Sequence, residues 1–172
     1  VDSWSDLFVY DLQEGERRRL TNDPFGDLHP VWSPDGSSIA FVTERFRTGL
    51  TSLMHGGYGL ALIDPGTGAV TEIKGFNKGK HINPQWSPDG TDLYFISDQN
   101  GISNVYRYDL ETDELYQVTN ISTGVAGIAP LSPAMSVAAH TGEMAISVFR
   151  NGSIEIYRID DPEVLAGGPV IY

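Results

Sequence analysis

Cysteine is absent from this 172-residue chain, cations are few, and no long apolar run occurs. Without thiols there is no disulfide, no Cys-ligated zinc and no cysteine nucleophile. The 11 Lys and Arg are outnumbered by 23 Asp and Glu, giving a formal charge of −12. Nucleic-acid backbones are bound through clustered cations. The one basic run, Arg17-Arg18-Arg19, sits beside Glu14 and Glu16 and reads as a solvated strand edge. Nucleic acid is therefore not expected as a partner, and an acidic surface repels anionic membranes. No stretch approaches the roughly 18 apolar residues of a membrane span. Val1-Asp2-Ser3-Trp4 lacks the basic start of a signal peptide. The chain opens without Met, as a processed chain or a piece of a longer one would.

Catalytic motifs are missing too. Gly101-Ile102-Ser103-Asn104-Val105 fails the last position of a hydrolase elbow. There is no Walker loop, no H-E-x-x-H and no calcium-loop pattern. Gly66-Thr67-Gly68 reads as a hairpin turn rather than a phosphate cradle. Long helical periodicity is also absent.

What the chain has is repetition, tested first because it decides the fold. "HPVWSPDG" (29–36) returns 54 residues later as "NPQWSPDG" (83–90). "SWSDLFVYDLQEGERRRLTN" (3–22) aligns without a gap on "GISNVYRYDLETDELYQVTN" (101–120), an offset of 98. Equivalent aspartates fall at Asp11, Asp64, Asp109 and Asp160. Each unit reads as four strands: "NPQW", the turn "SPDG", "TDLYFIS", a loop, "VYRYDL", a turn, "LYQVTN". Pro sets φ near −65°, Asp bonds back to the backbone and Gly takes positive φ, so Ser-Pro-Asp-Gly is turn chemistry. Trp32 and Trp86 are expected as wedges between neighbouring blades. In the last unit His140-Thr141-Gly142 takes the turn position.

Four antiparallel strands per repeat predict an all-β protein, a β-propeller of four-stranded blades. About three to four blades are present: the end of a blade at 1–22, blades at 28–74 and 82–120, a degenerate blade at 128–160 and a tail at 161–172. Where that last blade needs a fourth strand, "AGGPV" (166–170) is a poor one. A closed ring of such repeats takes about six or seven blades. The expectation is part of a larger propeller, with open blade edges able to self-associate.

The "HPxWSPDG" turn followed by "YDLETDELYQVT" resembles the TolB-type, WD-like (PD40) propeller repeat. The likeness covers roughly residues 5–160. It implies a non-catalytic binding or scaffold module, periplasmic or extracellular, with a protein partner or the remaining blades as its contacts and no cofactor. Such repeats also form the propeller parts of prolyl-oligopeptidase-like serine peptidases. That implies a substrate-gating alternative, with any hydrolase domain outside this chain. Some polysaccharide lyases share the repeat and hold a divalent metal with channel histidines, which makes His29 and His81 weak metal candidates here. His29, His55 and His81 are expected on one face. Hydrogen-bonded loop histidines are the plainer reading.

One stretch departs from the repeat. Between Glu44 and Gly59 the offset to the next unit falls from 54 to 45, an insertion of nine residues in "RFRTGLTSLMHGGYG" (45–59). Loops on rigid scaffolds are where binding resides. Arg45, Phe46, Arg47, Leu53, Met54, His55 and Tyr58 are the candidate partner-binding residues, with Leu50 beside them. A loop that merely covers the channel mouth is the plain alternative. Asp23, Asp27 and Asp98 on nearby loops are candidates for Ca²⁺ or a cationic ligand, with solvated loop carboxylates as the plainer reading.

Overall fold

The structure, a computed structural model, describes residues 5–51, 54, 56–76, 78–129 and 131–170. The first sheet is a two-stranded ribbon, β1 (Phe8–Tyr10) against β2 (Arg17–Arg19). The second has four strands in chain order: β3 (Asp27–Trp32), β4 (Ile39–Thr43), β5 (Gly59–Ile63) and β6 (Val70–Glu72). The third repeats that order with β7 (His81–Trp86), β8 (Asp92–Ser97), β9 (Asn104–Asp109) and β10 (Glu114–Gln117). The fourth has three strands, β11 (Met135–Val137), β12 (Met144–Arg150) and β13 (Ser153–Ile159). All these pairings are antiparallel, as hairpin connections require.

Strands buried on both faces hold the stack together. In β4, Ile39 and Phe41 face Val9 of the first sheet and Leu7 and Leu20, which flank its strands, while Ala40 and Val42 face the third. In the third sheet Leu93, Phe95 and Tyr106 share the face of Trp86, turned toward the second sheet, while Ile96 and Val105 lie on the opposite face, toward the fourth. Each fully buried aliphatic or Phe side chain contributes roughly 1.5–3 kcal/mol, so consecutive sheets are committed to one another.

The recurring octets fold alike. Gly36 N–H donates to the Ser33 carbonyl and Gly90 N–H to that of Ser87. Asp35 Oδ1 accepts from Ser33 Oγ at 2.6 Å and Ser37 N at 3.0 Å; Asp89 Oδ1 accepts from Ser87 Oγ and Thr91 N. Gly36, Gly90 and Gly142 all take φ between 72° and 76°. The recurring aspartates have a local cause as well. Asp11, Asp64 and Asp109 each accept from the backbone N–H groups two and three residues on, closing the outer hairpin turn.

Two features differ from the sequence expectation. Trp86 is wedged between sheets at 9% exposure, but Trp32, its counterpart, is 48% exposed. The first sheet covers β4 and leaves the adjoining end of β3 bare. In the tail, α1 (Pro162–Ala166) is N-capped by Asp161, and β14 (Gly168–Pro169) then pairs with β10 as a fifth strand of the third sheet. "AGGPV" thus adds to the neighbouring blade instead of the fourth. Arg107 Nε holds the Ala166 carbonyl at 3.0 Å, Val170 N–H donates to Leu115 O, and Leu165 is buried beneath the strap.

Candidate functional site

The insertion after β4 is built on a charged base. Arg45 reaches back under it, with Nη2 2.9 and 2.8 Å from the two Asp27 carboxylate oxygens and Nη1 3.2 Å from Asp23. Its guanidinium lies 5.4 Å from the Phe41 ring centroid. Burial pushes the Asp27 carboxyl up, and Thr43, Thr21 and Arg45 pull it back. Arg47 spans to the next blade and donates to the Phe76 carbonyl at 2.9 Å and the Gly79 carbonyl at 3.1 Å. Desolvation lowers its pKa, with Glu72 opposing. Thr48 links the two ends of the loop: its hydroxyl donates to Glu44 Oε2 and accepts from Gly56 N–H, both at 3.0 Å. A β-carbon on Gly56 would lie 2.3 Å from the Arg47 carbonyl carbon, so only glycine fits that crossing.

Above this base, Gly49 and Met54 exchange backbone hydrogen bonds at 2.9 and 3.2 Å, drawing the loop into a short ribbon. Phe46 and Leu50 are exposed and Met54 is 67% exposed. Tyr58 packs on the core, and its carbonyl accepts from His81 N–H. Of the candidate residues, Phe46 and Met54 therefore face outward, while Arg45, Arg47 and Tyr58 serve the base. Leu53 and His55 lie outside the described residues. Asp23 and Asp27 do hold a cation, the chain's own Arg45, and Asp98 accepts from Lys80 N–H at 2.8 Å. Glu44 and Thr48 carry no motif; only their place flanking the inserted stretch hints at an anchoring role.

The metal candidates sit in different surroundings. His29 lies at a bulge with φ 50°, and its Nδ1 accepts from Asn83 N–H at 3.2 Å. Burial lowers its pKa against an opposing contact with the Leu131 backbone. His81 is fully buried, stacked 4.2 Å from Phe76 and edge-on to Phe95. Burial, then the charge of Arg47, lowers its pKa to about 3. Among the described residues no group of three or more His, Cys, Asp or Glu is arranged to hold a metal ion. Nor is any helix there long and apolar enough to cross a membrane.

No family model matches the chain. It is 26% identical to dipeptidyl-peptidase 5 of Porphyromonas gingivalis over 94% of its own length, but spans only 24% of that protein. Among solved structures, TolB from Acinetobacter baumannii superposes with a TM-score of 0.68 at 22% identity, covering 90% of this chain and 35% of the other. An oligogalacturonate lyase in complex with manganese gives 0.65 at 15% identity over 96% of this chain and 43% of the lyase. The fold is that of the TolB-like β-propeller, a scaffold on which unrelated functions are carried.

Proposed function

We propose that this propeller segment is a binding module without catalytic machinery of its own, a scaffold in the periplasm or outside the cell. Its contact surface is the inserted ribbon, where Phe46, Leu50 and Met54, with Leu53 and His55, meet a protein partner. One observation carries the reading: Phe46, Leu50 and Met54 are exposed on the inserted stretch while Arg45 and Arg47 fix its base. A loop kept only to shield the core would turn those side chains inward. Exposed Met and Phe on a held loop suit a protein surface. The likeness to TolB supports the reading.

The test is a photo-crosslinking residue at position 54, with exposed Leu12 as the control position, in cells producing the protein. Capture of one defined protein from position 54 and not from position 12 is expected. Met54→Asp should then weaken binding of that protein at least tenfold with no change in Tm. Equal capture from both positions, or none from position 54, defeats the reading.

A second reading rests on the alignment with dipeptidyl-peptidase 5, which runs over nearly the whole chain. Here the segment gates substrate for a prolyl-oligopeptidase-like serine peptidase. A Gly-x-Ser-x-Gly hydrolase segment in the same reading frame would decide for it. The lyase alternative needs His29 and His81 as ligands; metal retained by the purified protein and lost on His29→Ala would be required.

A further inference from the structure

Beyond β13 the chain leaves the fourth blade and crosses to the outer edge of the third. There β14 sets Gly168 opposite Gln117 and Pro169 opposite Tyr116. Val170 N–H donates to the Leu115 carbonyl at 3.0 Å, so the backbone at 168 and 170 turns toward β10 and that at 169 turns away. Any other residue at 169 would offer an outward N–H to a further strand; proline has none. The hold on the strap is slight. Of residues 161–170 only Leu165 is buried. The five-residue α1 is far too short to persist without its contacts.

The surface beneath is held independently of the strap. Arg107 donates through Nε to the Ala166 carbonyl at 3.0 Å, yet its guanidinium is also bonded to Asp92 and lies 4.1 Å from the Tyr116 ring centroid. β10 is fixed from its inner side by β9, from Glu114 to Gln117. A ladder edge, a clamp for one carbonyl and a socket for one leucine are the parts of a strand-addition site. Gly167 narrows what fits. Its φ is 71°, and a β-carbon there would lie 2.7 Å from the Gln117 carbonyl oxygen and 3.0 Å from its carbon. We propose that the outer edge of β10 receives an extended segment of a partner protein, with leucine two residues ahead of glycine, and that residues 161–170 are its built-in competitor. Docking then requires the strap to lift while the sheets stay folded. This edge is distinct from the inserted ribbon and stands whether or not the ribbon binds anything.

The probe is a synthetic peptide of residues 161–170, added to the chain and to its Leu165→Ala variant, which loosens the strap without adding bulk. The readout is the shift of the Tyr116 and Gln117 amide resonances. The variant is expected to bind the peptide at least tenfold more tightly than the parent, because its tethered strap competes less. A peptide carrying Gly167→Val should bind at least tenfold more weakly. Native-state hydrogen exchange of the parent gives a measure that needs no variant: the Leu165 and Val170 amides should exchange at least tenfold faster than those of β8 and β9. Exchange of both sets at one rate would mean that the strap opens only when the sheets unfold, and overturns the proposal. Equal peptide binding by parent and variant overturns it too, as does binding by neither or tolerance of Gly167→Val. So does self-association of the variant that the peptide fails to reverse, which would put a second copy on the edge.

Discussion

The His81 ring is stacked on Phe76 and edge-on to Phe95, and burial first, then Arg47, against an opposing contact with the Lys78 backbone, lowers its pKa to about 3 from an ordinary 6.5. Folding therefore keeps the imidazole neutral at pH values where the unfolded chain protonates it. Its contribution is complete above pH 6.5 and is withdrawn as pH falls toward 3, by up to about 1.4 kcal/mol per unit. His81→Phe keeps an aromatic in the same stack and removes the titration. Urea unfolding at pH 7 and pH 4.5 should show the variant losing less stability than the parent, with no penalty at pH 7. Equal losses would mean that the ring protonates within the fold. A second acid limb lies lower. Ser33 and Ser37 hold the Asp35 carboxyl down to about 2, and Ser87 and Thr91 lower that of Asp89. Stability from these depressed carboxylates is present above about 3.8 and disappears as pH falls toward 2. Asp27, raised by burial, acts with the opposite sign. The spacing of 54 matches His81 to Asp27. Sequence cannot say that one position is closed by aromatics and the other by Arg45, because Phe76 and Arg45 come from loops that do not repeat.

Identical turns do not make equivalent elements. Trp86 fills the space between two sheets and bonds to Val31 O, whereas Trp32 meets a sheet on only part of its surface. Trp86→Ala should cost ~3–5 kcal/mol in denaturant unfolding and Trp32→Ala about 1 kcal/mol or less. Near-equal losses would show that both indoles are wedged. The inserted ribbon divides the same way between base and tip. Arg45→Ala strands the buried Asp27 carboxylate and should cost about 3–5 kcal/mol, while Met54→Ala should stay within about 0.5 kcal/mol. The strands and the turns were legible, because Pro, Asp and Gly impose their own backbone and β-branched and aromatic runs fill the rest. So was the position of the inserted loop, since it breaks a register. The inward course of Arg45 and Arg47 was not. A long cationic side chain is equally at home in water or over a carboxylate, and only the fold brings Asp27 and the Phe76 carbonyl within reach.

Across the whole molecule the stack presents a different face at each end. The β12–β13 register pairs Phe149 with Ile154 and Ser147 with Ile156 on the side away from the third sheet, and Ile156 is 80% exposed. At the other end Phe8 and Tyr10 look outward, with Arg17 and Arg19 over the Phe8 ring. Two copies can bring these unlike faces together only head to tail, a contact that need not close. A net charge of −12 opposes it, so added salt should promote association rather than dissolve it. Sedimentation velocity should show average mass rising with concentration, more steeply in high salt, and Ile156→Lys should suppress the rise without lowering Tm, because that side chain has no inward packing to lose. Such joining sets β13 of one copy against β1 of the next and leaves Trp32, on β3, uncovered. Trp32 should then remain as accessible to a fluorescence quencher in the associated protein as in dilute solution. Quenching lost in step with mass would instead place the contact at Trp32.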